Sequence, residues 1–130
     1  MQPGFVAYLV VFIGGGIGAA LRHGANRLAL AWNTDFPFHT LFVNVLGCFL
    51  MGALASWFAF RGEDSSQHVR LLLTTGLLGG FTTFSAFSLD AAYLWQRGQV
   101  GSAALYCLTS VGGSLLAVFV GIALVRAVIS

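Results

Sequence analysis

Thr82, Thr83, Ser85 and Ser88 interleave with Phe81, Phe84 and Phe87 in the run GLLGGFTTFSAFS, residues 76–88. A hydroxyl donates a hydrogen bond, and a phenyl ring has a positive edge and a negative face. Phenylalanines spaced three apart fall near one helical face. A helix so decorated offers an anion hydroxyl donors and ring edges, whereas a cation would seek the ring faces. Core packing is the usual reason for an aromatic stripe, but packing alone has no need of the interleaved hydroxyls. Gly79 and Gly80 stand immediately before them. Glycine disfavours a helix interior by about 1 kcal/mol relative to alanine. A helix broken there frees N–H and C=O groups that must be buried in protein or line a wet cavity. Transporters and channels bind anions at such N–H groups and cations at such carbonyls. A packing kink is the plainer alternative.

A second row supports the ion-handling reading. Tyr106, Ser110 and Ser114 are spaced i, i+4, i+8 on one face, and the row stops at Val118. Asn44 is the side-chain amide inside the second apolar run, with Thr40 one turn before it. Serine and threonine in membrane helices most often bond their own backbone or a neighbouring helix. That explanation serves any one of these residues and weakens for a row facing a broken helix. Arg22 either snorkels to the interface or stands near a pore mouth. Asp90, one turn past the phenylalanines, can pair with a basic residue or cap a vestibule. Gly14-x-x-x-Gly18 and Gly76-x-x-x-Gly80 have the spacing that lets helices approach closely. His23, His39 and His68 lack metal-ligand spacing, and Cys48 and Cys107 read as small buried hydrophobes inside apolar runs.

The elements that must position these residues are membrane helices. The chain has 130 residues, 58% hydrophobic and 8% charged, with no lysine. A soluble domain carries about 25% charged residues, so an integral membrane protein is the better class. Uncharged runs cover 5–21, 38–60, 71–89 and 103–125, and a span needs roughly 20 apolar residues. The expected fold is all-α, one domain over 1–130, with spans near 5–30, 38–60, 68–96 and 101–126 and the third broken at mid-membrane. The first span is not expected to be a cleaved signal peptide, because no basic residue precedes it. Short connections fall at 33–37 with Asp35, at 61–67 with Glu63 and Asp64, and at 98–101. Trp32, Trp57 and Trp95 lie near span ends, as interfacial anchors do.

Four spans put Arg61, Arg70 and Arg126 on one side of the membrane and Arg22, Arg27 and Arg97 on the other. Three against three leaves no basic bias to set topology, which predicts insertion in both orientations; the plainer alternative is that one arginine belongs to the other side and a weak bias survives. No nucleophile–base pair or metal cluster suggests an enzyme, and nothing points to nucleic acid.

The run GLLGGFTTFSAFS closely resembles the signature of the Fluc fluoride channels, small bacterial proteins with four membrane helices. Arg22 after a glycine-rich first span, Thr40 with Asn44, and Tyr106, Ser110 and Ser114 also fall at that family's functional positions. The resemblance covers essentially the whole chain. It implies an antiparallel, dual-topology homodimer in the lipid of the bacterial inner membrane, with two separate fluoride pores and passive export of cytoplasmic fluoride. It further implies a central structural Na+ held by the main-chain carbonyls of Gly79 and Thr82 of each subunit. Phe84 and Phe87 would line the ion path, with Asn44, Thr83, Tyr106, Ser110 and Ser114 as polar lining and Arg22 near the vestibule. The chain departs at Ala86, where threonine is frequent, and at Val118, where a hydroxyl is. An acidic residue, often glutamate, is common at Asp90.

Fluoride holds water tightly, so a passage must replace its hydration with strong donors that still release it. Hydroxyls, an amide and ring edges meet that need. The alternative is a proton-coupled small multidrug exporter, also four-helical, which requires a membrane-embedded carboxylate. The first three-quarters of the first span hold no acid, and Asp90 sits near the end of the third. A non-transporting assembly subunit would not need the hydroxyl–phenylalanine track.

Overall fold

In a bilayer every backbone group must find its partner within the chain, so long apolar runs coil into helices. The computed structural model describes residues 4–29, 35–61 and 67–129; Trp32, Asn33, Glu63 and Asp64 lie outside the described residues. Helix α1 covers Gly4–Ala29 and α2 covers Phe38–Arg61. The third apolar stretch is assembled from pieces: α3 (Gln67–Leu71), a π-helical segment (Leu72–Leu78), α4 (Gly79–Phe81) and α5 (Phe84–Gln96). Helix α6 covers Val100–Ile129. No strand occurs among the described residues, and four helical stretches are long and apolar enough to cross a membrane.

The turn between α5 and α6 is set by Gly98, whose φ of 81° is a left-handed conformation that side chains resist. Its N–H bonds the Trp95 carbonyl at 3.0 Å and the Gln99 N–H bonds the Leu94 carbonyl at 2.9 Å, closing α5 with a Schellman motif. Helix α6 therefore starts at once and folds back along α5 and α2. A buried cluster of Phe87, Leu94, Ala103 and Tyr106 fills the α5–α6 angle, with Phe36 and Leu41 against it. At the far end of α2, the Arg61 guanidinium lies 4.6 Å from the centre of the Trp57 ring.

The glycine pairs act within the chain. A Cβ at Gly14 would stand 3.0 Å from the Gly76 Cα, and one at Gly18 would stand 2.8 Å from the Phe81 backbone nitrogen. Helix α1 thus lies almost backbone to backbone against residues 72–81. Across the bundle, a Cβ at Gly121 of α6 would stand 2.9 Å from the Ala53 nitrogen of α2.

Because backbone cannot yield as a side chain can, Gly18→Ala is expected to lower the thermal stability of the detergent-solubilised protein by about 1–3 kcal/mol. Gly24, in the same helix, has nothing within 4 Å of an added Cβ. Gly24→Ala is expected to be neutral or to stabilise by up to about 1 kcal/mol. Thermal melts of the two variants in the opposite order would contradict this packing.

Candidate functional site

The helical path of the third stretch stops at Phe81 and resumes at Phe84. Between them Thr82 (φ −82°, ψ 157°) and Thr83 (φ −152°, ψ 124°) are extended, a region that β-branched residues favour. The expectation drawn from Gly79–Gly80 therefore needs correcting in its detail. Both glycines are helical, and a Cβ at Gly80 would press on the Gly15 backbone. The glycines serve close packing; the threonines leave the helix.

Two extended residues inside an apolar stretch raise the question of where their backbone groups bond. Asn44 answers for Thr83. Its Nδ2 donates to the Thr83 carbonyl at 2.9 Å, and its Oδ1 accepts from the Thr83 N–H at 2.8 Å. One side-chain amide thus stands in for a strand neighbour. Thr83 also caps α5, its Oγ1 accepting from the Ala86 N–H at 3.1 Å. The Thr82 N–H and Oγ1 both donate to the Leu78 carbonyl at 3.0 Å. Arg22 Nε donates to the Gly80 carbonyl at 3.2 Å, tying α1 to the same place.

This accounting singles out two carbonyls. The Thr83 N–H is taken by Asn44 and the Ala86 N–H by Thr83 Oγ1. Gly79 and Thr82 are therefore left without the donor four residues on that a continuous helix would supply. Carbonyl oxygens are hard ligands suited to hard cations, which take about six oxygens. The donor set fits such an ion in kind, and two carbonyls are fewer than the ligands such an ion takes.

Beside the interruption a cleft of about 320 Å³ opens between α2, α5 and α6. Asn44, Thr83, Phe84, Phe87, Ser110 and Ser114 all line it, joined by Thr82, Cys48, Val111 and Leu115. The Phe84 and Phe87 rings stand 5.4 Å apart at 47°, and Phe84 is 76% exposed where Phe87 is 9%. Cys48 is half-buried on the cleft wall rather than sunk in a core.

Ser110 departs from the usual habit of membrane hydroxyls. Its neighbour Thr109 bonds the Leu105 carbonyl at 2.8 Å, and Thr74 bonds the Arg70 carbonyl at 2.7 Å. Ser110 Oγ is buried with no hydrogen-bond partner among the described residues. A buried hydroxyl left unmatched is unfavourable by about 1–3 kcal/mol, so this donor is available to whatever enters.

Tyr106, expected in the same row, takes a different position. It is fully buried, its ring 5.2 Å from Phe87, and its OH donates to Asp90 Oδ2 at 3.2 Å. Thr40 Oγ1 donates to the same oxygen at 2.8 Å. The partners of Asp90 are thus hydroxyls on α2 and α6 rather than a basic residue. Arg22 bonds the Gly80 carbonyl and is not among the residues that line the cleft.

Residues 9–122 match the family model described as CrcB-like protein, Camphor Resistance (CrcB). The chain belongs to the CrcB family. A fluoride-specific ion channel FluC of Rhodopseudomonas palustris strain BisB5 is 56% identical over 95% of this chain and 99% of its own length. A protein of the same name from strain CGA009 is 55% identical over 94% and 98%. FluC 2 of Nitrobacter hamburgensis, also named a fluoride-specific ion channel, is 52% identical over 92% and 96%. With its apolar helices, this CrcB-family chain is a multi-pass protein of the bacterial inner membrane.

The Asn44–Thr83 pair is open to test. Asn44→Leu keeps the bulk and removes both bonds, and is expected to lower thermal stability by about 2–4 kcal/mol, since Thr83 loses a donor and an acceptor in an apolar setting. Asn44→Asp, which keeps the acceptor, is expected to fall between. Melts of Asn44→Leu indistinguishable from the unmodified protein would refute the pairing.

Proposed function

We propose that this CrcB-family chain is a fluoride channel, a transporter rather than an enzyme, passing the anion along the cleft beside the interruption. The observation that carries the reading is the Ser110 hydroxyl, unpartnered among the described residues, beside the Phe84 and Phe87 rings and Thr83. An anion moving there would trade water for hydroxyl donors and ring edges, with Ser114 continuing the row. None of the side chains lining the cleft carries a full positive charge, so the ion is not trapped. The relatives named as fluoride-specific channels, which this chain matches over nearly their whole length, support fluoride as the ion.

The finer points of the reading are these. Tyr106 and Arg22 contribute to the path from behind its wall and at its vestibule. Two copies pair antiparallel, inserted in opposite orientations, as the balanced arginines favour. The Gly79 and Thr82 carbonyls of both copies would together hold a structural Na+ at the dimer centre, because neither has the i+4 donor of a continuous helix. When bound, that ion would offset the partial negative charge of the carbonyls and lock the interruptions together. Export is passive, driven by the fluoride gradient. The small multidrug exporter alternative gains no support, since Asp90 is engaged by Thr40 and Tyr106.

Fluoride efflux from liposomes holding the purified protein tests the reading. Fluoride is expected to leave rapidly and chloride to stay. Phe84→Ile and Phe87→Ile are each expected to slow fluoride by about tenfold or more through loss of the ring edge, a change of about 1.4 kcal/mol. Equal passage of both anions, or no flux, would reject the function; unmodified rates in both variants would reject the path.

A further inference from the structure

The geometry points to Asp90 as a positioning residue that sets the Phe87 ring of the ion path through Tyr106, an inference that rests on the channel reading above. An ionisable side chain inside a membrane helix is unfavourable unless it is bonded, and it marks a functional element by default. Asp90 lies within the third apolar stretch, in α5, a turn beyond Phe87. A single oxygen, Oδ2, receives both Thr40 Oγ1 at 2.8 Å and Tyr106 OH at 3.2 Å. The carboxylate therefore pins side chains from α2 and α6 to α5.

Tyr106 turns that pin into a constraint on the cleft. A tyrosine ring has two side-chain torsions, and holding its OH fixes the tilt of its face. That face meets Phe87 at 5.2 Å and 41°, and Phe36 meets Tyr106 edge-on at 5.5 Å and 86°. Phe87 in turn stands 5.4 Å from Phe84. The rings form a chain from the half-buried carboxylate to the cleft wall, so a ring edge presented to the ion inherits its orientation from Asp90. Because the Tyr106 hydroxyl proton is directed at Asp90, Tyr106 acts through its ring while that bond lasts.

Removing the acceptor takes from a fully buried phenol the oxygen to which its proton is directed, leaving the Thr40 hydroxyl as its neighbour. The ring then reorients toward another acceptor and Phe87 loses its backing. The position needs an acceptor and not a charge, which separates this role from an electrostatic one. Asp90→Asn keeps an acceptor oxygen on the same scaffold.

The test measures fluoride efflux per reconstituted protein, together with the aromatic near-ultraviolet circular dichroism of each variant. Asp90→Asn is expected within about threefold of the unmodified rate, because its amide oxygen still accepts the phenol. Asp90→Ala and Tyr106→Phe are each expected to be about tenfold slower, the value of one hydrogen bond. The double variant is expected to be no slower than the slower single variant, since both remove the same bond. The dichroism change is expected in Asp90→Ala, where every aromatic side chain is retained, and absent from Asp90→Asn. An unmodified rate in Asp90→Ala, an Asp90→Asn as slow as Asp90→Ala, or multiplying losses in the double variant would overturn the role. Should Asp90→Ala not fold, Tyr106→Phe at the unmodified rate overturns it, and slow Tyr106→Phe beside near-normal Asp90→Asn upholds it. A parent protein that passes no fluoride defeats the channel reading, and the dichroism comparison then still decides whether Asp90 orients Tyr106.

Discussion

One side-chain amide makes the rest of this architecture tenable. Extended backbone in an apolar environment is prohibitive unless its N–H and C=O are matched, and Asn44 matches both for Thr83. Two consequences follow from the same residues. With its N–H drawn toward α2, Thr83 leaves the Gly79 carbonyl without the donor four residues on that a continuous helix would supply. With its hydroxyl oxygen accepting from the Ala86 N–H, it starts α5 in the register that turns Phe84 and Phe87 toward the cleft.

The surrounding helices hold that arrangement by short-range contact rather than by a large core. Glycines at Gly14, Gly18 and Gly80 bring α1 and residues 72–81 nearly to backbone contact. Arg22 then reaches the Gly80 carbonyl. Many large apolar side chains face outward, among them Phe5, Tyr8 and Phe12 of α1. In water such a surface would drive aggregation; in lipid it costs nothing, and helix association there depends on close packing and hydrogen bonds. The polar bonds at Asn44, Asp90 and Arg22 are accordingly structural ties between helices as well as features of the site.

Much of this was legible in the sequence. Composition and run length gave the membrane class and the helical spans, because the bilayer permits few alternatives. Helical spacing grouped Ser110 with Ser114, and both line the cleft beside Phe84 and Phe87. The exact seat of the interruption was less legible. Glycine drew attention for its poor helix propensity, yet tertiary packing kept Gly79 and Gly80 helical. Thr83 carried the better signal, a β-branched N-cap residue opening α5. The π-helical turns at Leu72–Leu78 left no recognisable mark. Nor could periodicity foresee that Tyr106 turns its hydroxyl to Asp90, 16 residues away, or that Asn44 bonds Thr83 across 39 residues. Spacing along one helix says which residues share a face; it does not say which partner on another helix claims a donor first.

Electrical recording from planar bilayers containing the purified protein tests the central claim most directly, that the interruption builds a passive fluoride pathway. With unequal fluoride on the two sides and symmetrical chloride, the current is predicted to reverse at the fluoride equilibrium potential and to stay there when chloride is made unequal. A reversal that follows chloride, a reversal set by the proton gradient, or a silent bilayer at high protein density would contradict it.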